Sequence, residues 1–284
     1  MAVLRSEFDR WLSWAKRQQG RIPAHTTFFR LAKILLAEGR CEEDILHVLR
    51  AVAAAVRDRR VPERELTSAI AYAKAAPGPG ASPRWPGVNL ALRAEIERSA
   101  TLSDLVKASP CFPANTAEAL YALFPDNPLL CLGAEVNSFA TAPLAEWRHL
   151  EAAQFVVPNP MRARTGRTLE GRLSARTNAN TGPRAYLVVE FDFGHFDGHA
   201  ALLLHLRQYA HLAMAVYSGG KSLHGWFDVR GQSAEAQRRF FARAVELGAD
   251  PKMWTPSQFS RCPLGSNRRT GRLQQVYFFD PQWT

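Results

Sequence analysis

Residues 184–228 read RAYLVVEFDFGHFDGHAALLLHLRQYAHLAMAVYSGGKSLHGWFD. Two apolar strands with a helix between them fit this pattern. The first strand, predicted over Tyr186–Phe193, carries two acids, Glu190 and Asp192. Strand side chains alternate, so these acids share one face, while Leu187, Val189, Phe191 and Phe193 line the other. Two neighbouring carboxylates repel, and a divalent cation between them relieves the repulsion. A further strand pair brackets SGGKSLH, where Gly219 and Gly220 permit a tight turn and Ser222 and His224 again share a face. Acids beside a Gly-Gly-Lys-Ser turn and a histidine point to chemistry on a phosphate-bearing substrate, with metal ions stabilising charge.

Working outward, the 284 residues suffice for one large domain or two modest ones, and 46% hydrophobic residues is ordinary for a packed protein. No apolar run approaches the roughly 20 residues of a membrane span, and the start, MAVLRSEFDRWLSW, has no signal-peptide core. A soluble, cytoplasmic protein with no membrane partner is expected. Cys41, Cys111, Cys131 and Cys262 form no CxxC pair and are read as reduced thiols.

Net charge is +10 and uneven: residues 151–284 hold 17 Lys and Arg against 10 Asp and Glu, whereas residues 77–150 hold 5 against 7. The positive excess travels with the acidic pair and the glycine turn, which favours a polyanionic partner. Arg162, Arg164, Arg167, Arg172 and Arg176 crowd a loop-like segment just before the acidic strand. A basic mobile loop there could clamp a nucleic-acid backbone or a triphosphate.

Upstream, residues 1–76 repeat apolar positions at three- and four-residue spacing in four segments, from FDRWLSWAKR to ERELTSAIAYAKAA. Thr26 or Thr27 is the expected cap of the second helix and Gly39 its stop, Glu42 and Glu43 suit the start of the third, and Pro62 opens the fourth. PGPGASPRWPG, residues 77–87, reads as a linker. One helix within 88–108 and another at 116–124 lead into short apolar pieces. Within the central stretch the helix between the strands is expected at 198–211; after it come another at Ala234–Glu246 capped by Ser233, a basic turn with Arg268, Arg269 and Arg272, and a last strand at Gln274–Phe279.

Three rival readings fit the sequence less well. AVYSGGKS nearly matches a nucleotide-binding phosphate loop, but LHGWFDV after it alternates as a strand and supplies no helix N-terminus. A rolling-circle nickase wants His-x-His, which does not occur near these strands. A non-catalytic binding module accounts for the charge and leaves the paired acids unexplained.

VVEFDF, SGGKSLH and LGADPKMWTPSQFSRCPLGSNRRTG follow one another over about 100 residues. Together they resemble the three motifs of the archaeo-eukaryotic primase superfamily, the primase-polymerases, in which the first acid is more often Asp than Glu. The N-terminal segment is similar to the small helical domain found beside such cores in phage and plasmid primases.

The resemblance implies an α+β protein: an all-α bundle (1–76), a linker and connecting helix (77–105), and a primase-polymerase-like core (106–284) with an RRM-like mixed or antiparallel sheet. It implies template-dependent nucleotidyl transfer, as DNA primase or DNA polymerase, in phage, plasmid or other mobile-element replication. Glu190, Asp192 and Asp250 would hold two Mg2+ or Mn2+ ions. Lys221, Ser222, His224 and Arg261 would contact the nucleotide, and Arg268, Arg269 and Arg272 the nucleic-acid backbone. Single-stranded DNA template, nucleoside triphosphates and a replicative helicase are the expected partners. The alternative is a single-stranded nucleic-acid-binding replication protein with a degenerate site.

Overall fold

The computed structural model describes residues 24–37, 39–54, 60–75, 85–168 and 170–281. The chain divides into two compact units, Met1–Arg84 and Trp85–Thr284. The helix expected in FDRWLSWAKR and residues 77–84 of the linker lie outside the described residues.

The first unit holds helices α1 (Ala24–Ala37), α2 (Glu42–Ala53) and α3 (Glu63–Ala75). Their apolar stripes, among them Phe28, Leu31 and Leu35, then Ile45, Leu49 and Val52, then Leu66 and Ile70, close on one another as a single core. Gly39 ends α1 as expected: its φ of +74° admits the left-handed turn. Its N–H reaches Leu36 O and that of Arg40 reaches Leu35 O, which ties off the last carbonyls. Thr26 and Thr27 lie inside α1 rather than capping it, because the helix already runs from Ala24.

The second unit begins with Trp85, whose ring packs edge-on against Phe241 and Trp254, each at 5.2 Å. Two helices occupy 88–108, where one was expected: α4 (Leu90–Ile96) and α5 (Leu102–Lys107), the second started by a capping box of Thr101 and Asp104. After α6 (Thr116–Leu123), β1 (Leu129–Glu135) and β2 (Ser138–Pro143) form a hairpin. With β3 (Phe155–Val156) it enters a four-stranded sheet whose far edge is β9 (Ser260–Arg261), in the order β2-β1-β3-β9. The short ladder of β4 (Gly166–Arg167) and β5 (Leu173–Ser174) lies in the arginine-rich segment. That segment is tied down by buried Asn180, which bonds Thr177, Ala163 and Ala175, and by Arg176, which donates to Ser257 O and lies over the neighbouring rings of Phe139 and Phe259.

The main sheet runs β12-β7-β8-β6 and every neighbouring pair is antiparallel, so the mixed alternative does not hold. β6 (Tyr186–Glu190) leads through α7 (Phe196–Leu206) to β7 (His211–Tyr217); β8 (Leu223–Asp228) then folds back between them, a split βαβ unit. α8 (Ala234–Glu246) follows, capped by Ser233 Oγ and stopped near Gly248 at φ +94°. β10 (Ser266–Asn267) and β11 (Arg272–Leu273) form the basic hairpin, and β12 (Val276–Phe279) closes the sheet.

Alternation along β8 separates two environments. Gly225 and Phe227 face α7 and α8, through Leu203 and Phe240. His224 and Trp226 face β9 through Ser260. A Cβ at Gly225 would meet Leu203 Cδ2 at 2.3 Å. Gly225→Ala is therefore expected to cost about 1–3 kcal/mol by overpacking, read as a fall in urea midpoint at unchanged slope.

Candidate functional site

The site lies between the two large sheets, at the C-terminal end of β6. The β6–β8 register sets Glu190 opposite His224, and alternation then puts both on the face turned toward β9. Glu190 Oε1 is 3.3 Å from His224 Nε2 and 3.5 Å from Ser222 Oγ. Ser222 Oγ is 3.4 Å from the same ring nitrogen. The other nitrogen, Nδ1, is held at 3.0 Å by Ser260 Oγ, which also accepts from Trp226 Nε1 at 3.2 Å. Acid and hydroxyl crowd one imidazole nitrogen. A Ser-His-acid relay needs them on opposite nitrogens, so this is not a serine-nucleophile site.

The Glu190 carboxyl is held down at about 2, chiefly by the adjacent His224 imidazole, with help from Arg261 and Ser222 against the opposing effect of burial. It is ionised at neutral pH. Arg261 is half-buried beside it over the Phe155 ring, and Nη1 points to Gln274 Oε1 (3.3 Å) and Gln154 Oε1 (3.5 Å). Burial lowers its pKa, the Glu190 carboxylate beside it raises it, and Arg269 nearby lowers it.

Asp250 reaches the same place from α8. Its N–H donates to Glu190 O at 2.9 Å, and the bridge Phe191↔Ala249 sets Asp250 opposite Glu190 in the ladder. One Asp250 oxygen caps the turn Pro251–Trp254 by accepting from Lys252 N. Asp192 is placed differently from expectation. β6 ends at Glu190 and the chain turns away at Asp192–Gly194, so Asp192 is exposed and Phe193, 47% exposed, leaves the apolar face. Gly194 makes this turn possible at φ +108°.

The glycine turn joins β7 to β8 and does not feed a helix, as expected. Its Gly220 and Ser222 amides both turn inward to Ser218 Oγ and are not offered to a phosphate. Lys221 Nζ donates to Asp192 O at 2.9 Å and pins the acid-bearing loop to this turn. The turn also packs on the basic hairpin: Asn267 Nδ2 donates to Ser218 O and Thr270 Oγ1 to Gly219 O. Arg268 pairs with Glu135 and Arg272 donates to Tyr217 Oη, both on exposed surface with Arg269 beside them.

Sequence reading missed four supporting residues. Ser260 and Gln274 left no signal beyond proximity to Arg261 and to the last strand. Arg93 is 2% exposed and donates to Glu97 Oε1, Leu247 O and Phe193 O at 2.7–2.9 Å. His199 Nε2 binds the same Phe193 carbonyl at 2.9 Å, while its Nδ1 is buried without a partner.

Burial, with Arg93 and His195 nearby, lowers the His199 pKa against the pull of Phe193 O and Glu97. A depressed histidine contributes stability that is present above its unfolded pKa of about 6.5 and lost as pH falls toward the folded one. Melting temperature is expected to drop between pH 7.5 and 5.5, and His199→Gln to flatten that drop.

Among the described residues, no three His, Cys, Asp or Glu side chains gather as a ready metal cage. The donor chemistry nevertheless suits a hard cation: ionised Glu190, with Asp250 opposite it and Asp192 two residues on, offers carboxylate oxygens. Mg2+ characteristically takes one or two carboxylates and completes its shell with water and substrate phosphates.

Among the described residues no helix is long and apolar enough to cross a membrane. No family model matches the chain, and no curated protein matches it. Among solved structures, the chain is similar to the AEP domain of the cyanophage S-2L primase-polymerase, with 19% identity and a TM-score of 0.37 over 57% of this chain and 90% of that one.

Proposed function

We propose that this chain is a template-directed nucleotidyltransferase, a DNA primase, a DNA polymerase or both, acting in phage, plasmid or other mobile-element replication. One observation carries the reading. Three stretches far apart in sequence, around Glu190, Ser222–His224 and Asp250–Arg261, meet at the end of β6 with an ionised carboxylate against a cationic wall.

In this reading Glu190, Asp192 and Asp250 hold divalent cations, Mg2+ or Mn2+. When bound, these would lower the pKa of an attacking hydroxyl and neutralise a leaving pyrophosphate. The chain's own part is to position and to supply fixed charge. His224, oriented by Ser260, and Ser222 face the phosphates. Arg261, oriented by Gln274, supplies a guanidinium where charge develops. Lys221 holds the Asp192 loop in register with the glycine turn and adds a cation at its rim. Arg268, Arg269 and Arg272 grip single-stranded template by its backbone, without reading bases. A replicative helicase is the further partner in this reading.

The test incubates purified full chain with single-stranded DNA, deoxynucleoside and ribonucleoside triphosphates and Mn2+. A product whose sequence copies the template is expected. DNA binding without any product would favour the second reading, a binding protein with a degenerate site. That reading draws on the ungathered acids and on the Glu190–His224 contact.

A further inference from the structure

From Arg162 to Arg176 the chain carries five arginines against one acid, Glu170. Their hairpin, β4–β5, is held by buried groups as well as by its own ladder. Asn180 Nδ2 donates to Ala163 O on one leg and to Ala175 O on the other. A Cβ on Gly166 would meet Thr177 Oγ1 at 2.3 Å, so the hairpin lies hard against this base. Thr141 Oγ1, on β2, also donates to Ala175 O. Arg162, Arg164, Arg167 and Arg172 nevertheless stay exposed. Arg164 pairs with Glu146 and Arg172 with Glu170, surface pairs that hold weakly and yield to phosphate. A guanidinium presented from a fixed base loses less freedom per bond, and its planar fork suits phosphate oxygens.

Position says which phosphates. Met161 N donates to Leu129 O, and Arg164 meets Glu146 just beyond β2, whose Pro143 pairs with Leu129. The arginine-rich hairpin therefore lies at the Leu129 end of β1. Arg268, on the β10–β11 hairpin, pairs with Glu135 at the other end. The rise of β1 separates the two basic hairpins by about 20 Å. A nucleic-acid strand, with one phosphate per residue, spans that distance, and a single triphosphate does not. Both ends connect to the site. The β10–β11 hairpin packs on the glycine turn through Asn267 and Thr270. At the other end Arg176 lies over Phe139 and Phe259, Phe259 packs on Phe155 at 4.7 Å, and Arg261 lies over Phe155.

We propose that the β4–β5 hairpin is a second anchor for the single strand that the β10–β11 hairpin grips, holding its backbone phosphates at the opposite end of β1. The proposal rests on the template-binding part of the nucleotidyl-transfer reading and extends the strand's track along β1.

The test measures how the affinity of the full chain for an oligothymidylate of about 16 nucleotides, the upper end of a single-strand site, depends on salt. Each phosphate contact on a single strand adds about 0.7 to the slope of log affinity against log salt. Arg164→Gln, Arg167→Gln and Arg172→Gln combined are expected to lower that slope by about 2. Changing the same three residues to Lys should keep it, because the slope counts charge. Deoxynucleoside triphosphate binding, measured with Ca2+ to prevent turnover, should not change. Adding Arg268→Gln, Arg269→Gln and Arg272→Gln should lower the slope by a similar amount again, since one strand touches both ends. Melting temperatures should stay close to wild type, since these side chains are exposed. An unchanged slope in the Gln variant, its loss in the Lys variant as well, weakened triphosphate binding in place of weakened strand binding, or a combined variant no different from either alone overturns the anchor. Template-directed synthesis by wild type would then leave the nucleotidyl-transfer reading standing. If wild type binds no oligothymidylate, both fall together.

Discussion

Replacing Glu190 with Ala or with Gln is expected to lower template-directed synthesis by about 100- to 1000-fold, the range seen when one fixed electrostatic group is removed from a reacting centre. The two substitutions should be equally severe. Gln keeps the shape of the side chain and removes only the charge, and it is the charge that His224, Arg261 and Ser222 hold in place. Single-stranded DNA binding should change little, because the expected backbone contacts sit on the β10–β11 hairpin. Primer-extension rates beside an equilibrium binding titration check both halves. A Glu190→Gln variant that synthesises at wild-type rate would remove the carboxylate from the chemistry.

Arg93→Ala is expected to destabilise the second unit by about 3–5 kcal/mol, the cost of breaking one side of a buried pair. The guanidinium satisfies Glu97 Oε1 and two backbone carbonyls at once and stacks on Phe191 and Phe193. Its loss leaves Leu247 O and Glu97 Oε1 without this donor and Phe193 O with His199 alone. For a unit of this size the melting temperature should fall by roughly 10 °C. Arg93→Lys should recover part of it, since one ammonium cannot span three acceptors in a plane. The two carbonyls belong to the loops that present Asp192 and Asp250, so synthesis should fall as well. A melting temperature within 1 °C of wild type would show that the clamp is dispensable.

Much of the frame was legible because it obeys local rules. Gly39 stops α1 and Ser233 caps α8, since a left-handed turn and an N-cap oxygen are read from one residue and its neighbours. Glu190, Ser222 and His224 were legible because alternation on paired strands fixes a face. Asp192 was legible as a residue and not as a position: the strand pattern continues through Phe193, but Gly194 lets the chain leave the sheet. The β1–β2 hairpin escaped notice because ATAP alternates weakly and ends in proline. Arg93, His199 and Gln274 were not legible because, apart from the Arg93–Glu97 pair four residues apart, their side-chain partners lie between 6 and 154 residues away with no periodicity to link them. The arginines before β6 read as a clamp by composition, yet Arg176 is spent on Ser257 and two phenylalanine rings.

The central claim is that Glu190, Asp192 and Asp250 serve one cation-dependent phosphate site. Electron paramagnetic resonance of Mn2+ titrated into the full chain with a nucleoside triphosphate tests it without any turnover. Wild type should bind Mn2+ in a saturable way, and Glu190→Ala, Asp192→Ala and Asp250→Ala should each weaken that binding at least tenfold. An Asp250→Ala variant that binds Mn2+ as wild type does, or a wild type that binds none, would contradict it.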